Sequence, residues 1–262
     1  MIKILITGAS RGIGAAIAKT FAQKYAENAQ IALLGRSLKQ PSHPDTPGTL
    51  MDTVNMVNTY GSRPLPIGVD IQYPKDVVDS VNKVIDKMGG LDILINNASV
   101  LYLHPTIKQM NLLYNVNTQA SLLTMKTAHQ ALTESKGSIV TLSPPINLAK
   151  LDWISSHPEY TISKYSMTLA TLGNATNNIR ANCIWPRYTI ATSATKRLET
   201  MGYDGAFSHG RPTKDFAWAV TELAVSTKNA ETLYDDEIID LPQTQAPLDV
   251  FANPCTKYLK LH

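Results

Sequence analysis

The chain has little cysteine, no long apolar run and no strong excess of charge of either sign. Two cysteines among 262 residues rule out a disulfide framework and leave no metal-ligand spacing; Cys183 lies in the apolar run Ala181 to Trp185 and Cys255 near the C-terminus. No apolar stretch approaches the roughly 20 residues that span a bilayer, so no membrane is expected as a partner. The formal net charge is only +3 and no Lys/Arg cluster stands out. Nucleic acid is therefore not expected either, because phosphate backbones are held by clustered cations. With the first apolar run beginning at Ile2, no signal or transit peptide is expected, and Lys260-Leu261-His262 is not expected to act as a peroxisomal address. The expected compartment is reducing and cytoplasmic.

What is present is an ordinary globular composition, 44% hydrophobic and 17% charged. A chain of this size buries about three-quarters of its unfolded surface. Short apolar runs alternate with helical patterns, which predicts an α/β fold: a Rossmann-type, doubly wound parallel sheet of about seven strands with helices on both faces. The strand candidates are Ile2 to Thr7, Gln30 to Gly35, Leu65 to Val69, Leu91 to Asn96, Ser138 to Leu142, Arg180 to Trp185 and Glu237 to Leu241. Ile13, Ile17, Phe21 and Tyr25 recur one helical turn apart, as do Val77, Val81, Val84 and Met88, and both stripes are expected in the core. Residues 38–49, with three prolines and a glycine, must be a loop. Residues 186–212 lack clear periodicity and contain Gly202, Gly205 and Gly210; a loop of that length suggests a substrate lid. One domain, 1–241, followed by a tail, 242–262, is the economical reading.

The first strand runs into Thr7-Gly8-Ala9-Ser10-Arg11-Gly12-Ile13-Gly14, where a helix begins. Gly8 permits the tight turn, Gly12 lets a backbone approach a pyrophosphate, and Gly14 lets helix and strand touch. The helix N-terminus adds free N–H groups and the positive end of its dipole. The spacing is GxxxGxG rather than the commoner GxGxxG.

This wording resembles the short-chain dehydrogenase/reductase family, and other pieces follow in the family's order over about residues 1 to 240. Asp70, with Ile71, matches the adenine contact, Asn96-Asn97-Ala98-Ser99 the NNAG segment, and Tyr160-Thr161-Ile162-Ser163-Lys164 the YxxxK. The resemblance implies a cofactor cradle that includes Gly8, Ser10, Arg11, Gly12, Ile13, Gly14, Asn97 and Ala98. The proline-rich loop, SPPINL, YTISKYSM and IWPR look like the hydroxysteroid-dehydrogenase-like branch.

At the end of the second strand, Leu33-Leu34-Gly35-Arg36-Ser37 has no carboxylate to bond the ribose hydroxyls of NAD. Arg36 offers a planar cationic fork for a 2′-phosphate, Ser37 one further donor, and Arg11 an approach from the other side. NADP(H) is the expected cofactor.

Tyr160 and Lys164 stand four residues apart on a helix and so project together. An adjacent ammonium is expected to lower the phenol's pKa from near 10. The resemblance implies that the tyrosine exchanges a proton with the substrate oxygen while the lysine also holds the nicotinamide ribose. It also implies an active-site asparagine, for which Asn117 is preferred over Asn115. In the family, two serines usually close the fifth strand. Here Ser143 matches the first and Pro144 stands at the second, which has neither hydroxyl nor N–H; Ser143, Asn147 or a water would have to orient the substrate. After the sixth strand, the resemblance places Ile190 at the nicotinamide carboxamide and Thr192 at the pyrophosphate. His157 is expected at the surface, with the site entrance three residues before Tyr160 as the alternative, and the Trp153, Trp185 and Trp218 side chains in packing. Met201, Tyr203, Phe207 and Trp218 are candidates for an apolar lid.

The expected function is NADP(H)-dependent interconversion of a small-molecule carbonyl and alcohol by a homodimer or homotetramer. A catalytically weak dinucleotide sensor or scaffold, for which the missing serine speaks, and an enoyl-thioester reductase are the competitors.

Overall fold

The computed structural model describes residues 1–42, 45–149 and 151–240, with the side chains of 151–153 left aside; the expected tail lies outside the described residues. Strands β1 (Ile2–Thr7), β2 (Ala29–Gly35), β3 (Arg63–Gly68), β4 (Ile93–Asn96), β5 (Ser138–Leu142), β6 (Arg180–Trp185) and β7 (Thr232–Tyr234) form one parallel sheet in the order β3-β2-β1-β4-β5-β6-β7. The central strands β1, β2, β4 and β5 are buried at nearly every position, as a sheet covered on both faces requires, while the edge strands β3 and β7 are mostly half-buried. Alternation then sorts the side chains. Ile4, Ile6, Ile31 and Leu33 face one helical layer, while Leu5, Ala32 and Leu34 face the other.

The first layer holds α1 (Gly12–Tyr25), α2 (Leu50–Asn58) and α9 (Thr213–Val225), with Ile17, Phe21, Val54, Phe216 and Val220 in its core. The second holds α3 (Pro74–Met88), α5 (Ala120–Ser135) and α7 (Pro158–Leu172), with Val81, Val84, Met125 and Leu132 packed inside. Both predicted stripes fall at these interfaces: Ile17 and Phe21 are fully buried between partly buried Ile13 and Tyr25, and all four of Val77, Val81, Val84 and Met88 are buried. Helix α3 stops at Gly89, whose left-handed backbone (φ 65°) ends a helix without strain.

Two expectations about the C-terminal third are corrected. The last strand is not Glu237 to Leu241. It is Thr232–Tyr234, paired through Cys183–Thr232 and Trp185–Tyr234, and the chain then turns through a 3-10 segment, Asp235–Glu237. Ile238 and Ile239, which read as strand, pack against the core from outside the sheet, and Leu241 lies outside the described residues. Residues 186–212 are not a plain loop either. They contain helix α8 (Ser193–Thr200), capped by Thr192 and Thr195, and only Leu198 of α8 is buried, which is why no apolar period was visible.

Between β4 and α5, helix α4 (Ile107–Leu113) runs into a π-turn (Tyr114–Gln119) before α5 continues. α6 (Leu151–Ser156) precedes α7. The chain leaves the sheet centre in opposite directions after β1 and β4, and the crevice at their C-terminal ends is where ligands bind in such sheets.

Candidate active site

The turns after β1 and β4 are stitched together. Thr7 Oγ1 accepts from the backbone N–H of Asn97 (3.1 Å) and Ala98 (3.0 Å). The Asn97 amide donates to the carbonyls of Thr7 (2.8 Å) and Gly8 (3.2 Å). That amide is why two of the glycines are glycines. A Cβ on Gly8 would lie 2.8 Å from Asn97 Nδ2, and one on Gly14 would lie 2.6 Å from the same nitrogen and 2.3 Å from the Gly8 carbonyl oxygen. Gly12 differs: its backbone is left-handed (φ 55°), and a Cβ there would meet only Thr192 Cγ2, at 3.8 Å. Space lies over this turn. Arg11 makes no side-chain cap and the first turn of α1 has no acid, so the helix's N-terminal N–H groups remain for an anion.

A cavity of about 510 Å³ opens there. Its wall includes Gly8, Ser10, Arg11, Gly12, Ile13, Gly14, Arg36, Ser37, Asp70, Ile71, Asn97, Ala98, Tyr160, Lys164 and Thr192, so most of the sequence-predicted residues share one space. Arg36 extends from the end of β2, 57% exposed, with Nη1 3.6 Å from Asp70 Oδ2. Arg11 donates to the Thr46 carbonyl (3.0 Å); burial first, and the nearby Arg36 second, push its pKa down. Two guanidiniums thus converge at the mouth. The loop before α2 closes on them, since Gly48 (φ 113°) packs where a Cβ would be 2.9 Å from both Arg11 Cβ and the Ser10 carbonyl. Ser37 is buried, its Oγ accepting from the Ser42 N–H (3.0 Å). Across the cavity, Thr192 caps α8, so two helix N-termini face this space. The donors, the convergent cations and the room over Gly12 fit a dinucleotide.

At the inner end, Tyr160 and Lys164 are both buried on α7. Lys164 Nζ donates to the Leu142 carbonyl (2.7 Å) and lies 5.2 Å from the centre of the Trp185 ring. Burial pulls its ammonium down to about 7 and pushes the Tyr160 phenol above its usual value. The phenol therefore shifts opposite to the sequence expectation, because loss of water outweighs any help from a lysine that the Leu142 carbonyl engages.

Asn117, rather than Asn115, is the buried asparagine of the π-turn. It does not line the cavity; it braces it. Its Oδ1 accepts from the Val100 N–H (2.8 Å) and Ser99 Oγ (3.1 Å), and its Nδ2 donates to the Val100 carbonyl and Ser163 Oγ (both 3.0 Å). The segment after β4 is thereby tied to α7 between Tyr160 and Lys164. π-turns often mark functional positions.

Besides Asn117, the candidates Ser143 and Ile190 also lie off the cavity wall. Ser143 is fully buried, its hydroxyl faces the Cys183 thiol, and no oxygen or nitrogen among the described residues pairs with it. Pro144 is buried with its carbonyl held by Thr168 Oγ1 (2.8 Å), and Asn147 is exposed. Ile190 is buried, and its carbonyl accepts from Thr195 Oγ1 (2.7 Å).

Sequence reasoning missed the apolar end of the cavity: Val100, Leu101, Tyr102, Leu112, Val116 and Trp185 line it beside Tyr160. Val100, Leu101 and Tyr102 lie in a loop, which has no period, and Leu112, Val116 and Trp185 stand at or near the ends of their elements, where periodicity does not say what they face. The expected lid is also corrected. Met201, Phe207 and Trp218 face solvent, Trp218 near Lys24 on the far side of α9; Leu198, Ala206 and Tyr203 pack with Tyr160 instead. His157 is buried, not at the surface. Its Nδ1 meets the Leu103 carbonyl at 3.1 Å and its ring stands edge-on to His104.

A model of the short chain dehydrogenase family matches residues 3–202. Hydroxysteroid dehydrogenase-like protein 2 of Bos taurus is 38% identical over 209 residues, 77% of this chain and 49% of its own length; the chain spans about half the length of the curated relatives it matches. A short chain dehydrogenase from Mycobacterium thermoresistibile superposes with a TM-score of 0.77 at 31% identity, over 90% of this chain and 85% of its own. One from Burkholderia cenocepacia, solved with NADP, gives 0.70 at 25% identity over 89% and 95%. One from Mycobacterium paratuberculosis, solved with NAD, gives 0.68 at 23% over the same shares and speaks for the fold alone. With its glycine turn, stitched NNAS segment and YxxxK helix in one cavity, the chain belongs to the short-chain dehydrogenase/reductase family of nicotinamide-dependent oxidoreductases, in the hydroxysteroid-dehydrogenase-like branch.

Proposed function

We propose that the chain is an NADP(H)-dependent oxidoreductase that interconverts a small-molecule carbonyl and an alcohol, in a reducing, cytoplasmic compartment. The observation that carries the reading is the shared cavity: Tyr160 and Lys164 stand at its apolar end, while the glycine turn and two guanidiniums stand at the other. Arg36 and Arg11 suit the 2′-phosphate of NADP(H), with Ser37 beside them; Gly12, Ile13 and Thr192 take the pyrophosphate, and Asp70 with Ile71 the adenine. A bound nicotinamide supplies or accepts the hydride. Tyr160 handles the accompanying proton. With its phenol pushed up by burial, it is a donor at neutral pH, which suits reduction of a carbonyl. Lys164, pulled to about 7, can replenish that proton, and Asn117 keeps the 99–100 segment and α7 in register. Leu122, Ile162 and Leu169, exposed on α5 and α7, support self-association as a homodimer or homotetramer.

The test is NADPH oxidation across a panel of uncharged carbonyl compounds, wild type against Tyr160→Phe. The variant deletes one hydroxyl, and turnover is expected to fall 10²–10⁴-fold, the usual worth of general acid-base catalysis, with NADPH affinity retained. Full activity in Tyr160→Phe would overturn this mechanism. One observation favours a second reading, a weakly catalytic dinucleotide sensor: with Ser143 turned toward Cys183 and proline at 144, no serine hydroxyl of this strand end reaches the cavity. Tight NADPH binding with no turnover of carbonyl or enoyl substrates would promote it.

A further inference from the structure

The excursion from Trp185 to Arg211 leaves the sheet after β6 and returns to α9, and one carboxylate holds both of its ends. Asp235, in the turn after β7, accepts the Arg187 N–H through Oδ1 (2.8 Å) and Arg211 Nη1 through Oδ2 (2.9 Å). Both members of the ion pair are buried, Arg211 2% and Asp235 0% exposed. The Arg211 guanidinium also lies 4.5 Å from the centre of the Tyr188 ring, while its Nε finds no partner among the described residues. Asp235 is thus the one described anion that neutralises it.

The backbone of Arg211 carries this hold to the cavity. Its N–H donates to the Thr189 carbonyl and its carbonyl accepts from Ala191, both at 2.8 Å. Gly210 lies so close behind that a Cβ would be 2.8 Å from the Ala191 nitrogen. The next residue is Thr192, the α8 cap on the cavity wall, and on the other side Pro186 lines the cavity beside Arg187. Asp235 therefore holds the stretch facing the cofactor space from behind at both ends, and at the Arg187 end Asp236 adds a second hold, on the guanidinium.

We propose that Asp235, acting through Arg211 and the Arg187 N–H, is a positioning residue that sets the 186–192 segment against the bound nicotinamide dinucleotide. The proposal rests on the cofactor-binding reading above. Cutting the charge while keeping the shape, Asp235→Asn, should free this segment and, with it, α8.

The experiment measures NADPH affinity by fluorescence titration, and trypsin cleavage after the exposed Lys196 and Arg197 of α8, both well below the melting temperature. Val220→Ala, in the α9 core, is the control for mere loss of stability. Asp235→Asn is expected to weaken NADPH at least tenfold and to speed cleavage at least tenfold, while Val220→Ala leaves both within twofold. The double variant Asp235→Asn/Arg211→Gln, which strands no cation, should regain melting temperature but not affinity. Should Asp235→Asn not fold, Tyr188→Leu, which uncovers Arg211 but keeps the pair, should weaken NADPH about threefold with faster cleavage. Unchanged affinity and cleavage in the folded variants, or equal losses in Val220→Ala, would overturn the proposal. A wild type that binds neither NADPH nor NADH would overturn the cofactor reading, and with it the ligand named here; slow cleavage in that wild type against fast cleavage in Asp235→Asn would still establish the clamp.

Discussion

On one side of the cavity, the turn between β1 and α1 is held by backbone packed on backbone; on the other, the Trp185–Arg211 excursion is held by side chains. The first wall depends on atoms that are absent: no Cβ on Gly8 or Gly14, and one amide, Asn97, filling the gap. The second depends on charges and hydroxyls that are present. Thr192 and Thr195 cap each other, Glu199 accepts the N–H groups of Phe207 (2.6 Å) and Ser208 (2.8 Å), and Asp235 holds Arg211. The first wall is consequently insensitive to pH and intolerant of size, while the second tolerates size at its exposed positions and depends on charge.

The sharpest way to break this contrast is Gly14→Ala. Its Cβ would sit 2.3 Å from the Gly8 carbonyl oxygen, so backbone must move; overpacking of this kind costs about 1–3 kcal/mol or more. A large drop in the denaturation midpoint is expected, with NADPH binding lost. Gly12→Ala should separate the two effects. It meets nothing closer than 3.8 Å, so its fold should lose only about 1–2 kcal/mol for a left-handed alanine, yet the added methyl enters the space over the turn. A Gly14→Ala protein that melts like wild type would end the packing argument.

A smaller effect is expected at the mouth. Arg36→Asp should reduce the preference for NADPH over NADH by at least tenfold, about 1.4 kcal/mol. The fold should be unaffected, because Arg36 is mostly exposed and its pairing with Asp70 is long, 3.6 Å. Paired titrations of the two cofactors check it, and an unchanged ratio would remove Arg36 from the 2′-phosphate site.

The same contrast explains what could be read from the sequence. The first wall is local: strand, glycines and helix follow within fourteen residues, and each has a one-residue physical reason. The central strands β1, β2, β4 and β5 were equally legible because strands buried on both faces are runs rich in Ile, Leu and Val. The second wall is not local. Arg211 and Asp235 are 24 residues apart, and nothing in Gly-Arg-Pro or Asp-Asp-Glu says that they meet. Helix α8 has only Ala194 and Leu198 as apolar residues, so it shows no stripe, and β7 is three residues long, so the more apolar Ile238-Ile239 outbid it. Trp185 reads as core and yet lines the cavity over Lys164, because only the sheet's geometry places a strand's last residue at the crevice. Asn117 was legible as a residue but not as a brace, since its partners come from the β4 turn and α7.

The smallest expected effect is at Ser143, the residue at which sequence resemblance and fold part. The resemblance makes it a candidate for orienting substrate. In the fold its hydroxyl is buried at β5's end, faces Cys183 and has no oxygen or nitrogen partner among the described residues. A buried hydroxyl without a full hydrogen bond costs about 1–3 kcal/mol, so Ser143→Ala removes a penalty rather than an interaction, and the methyl fills nearly the same space. The variant should melt at or slightly above wild type, with kcat/KM within roughly twofold of it. Both quantities come from one preparation, a melting curve and a steady-state assay with NADPH. A tenfold loss of kcat/KM at unchanged stability would mean that the hydroxyl does turn into the cavity when substrate arrives. The wall beyond Leu142 would then have to move, and Pro144, whose carbonyl is held by Thr168, would be the hinge to examine.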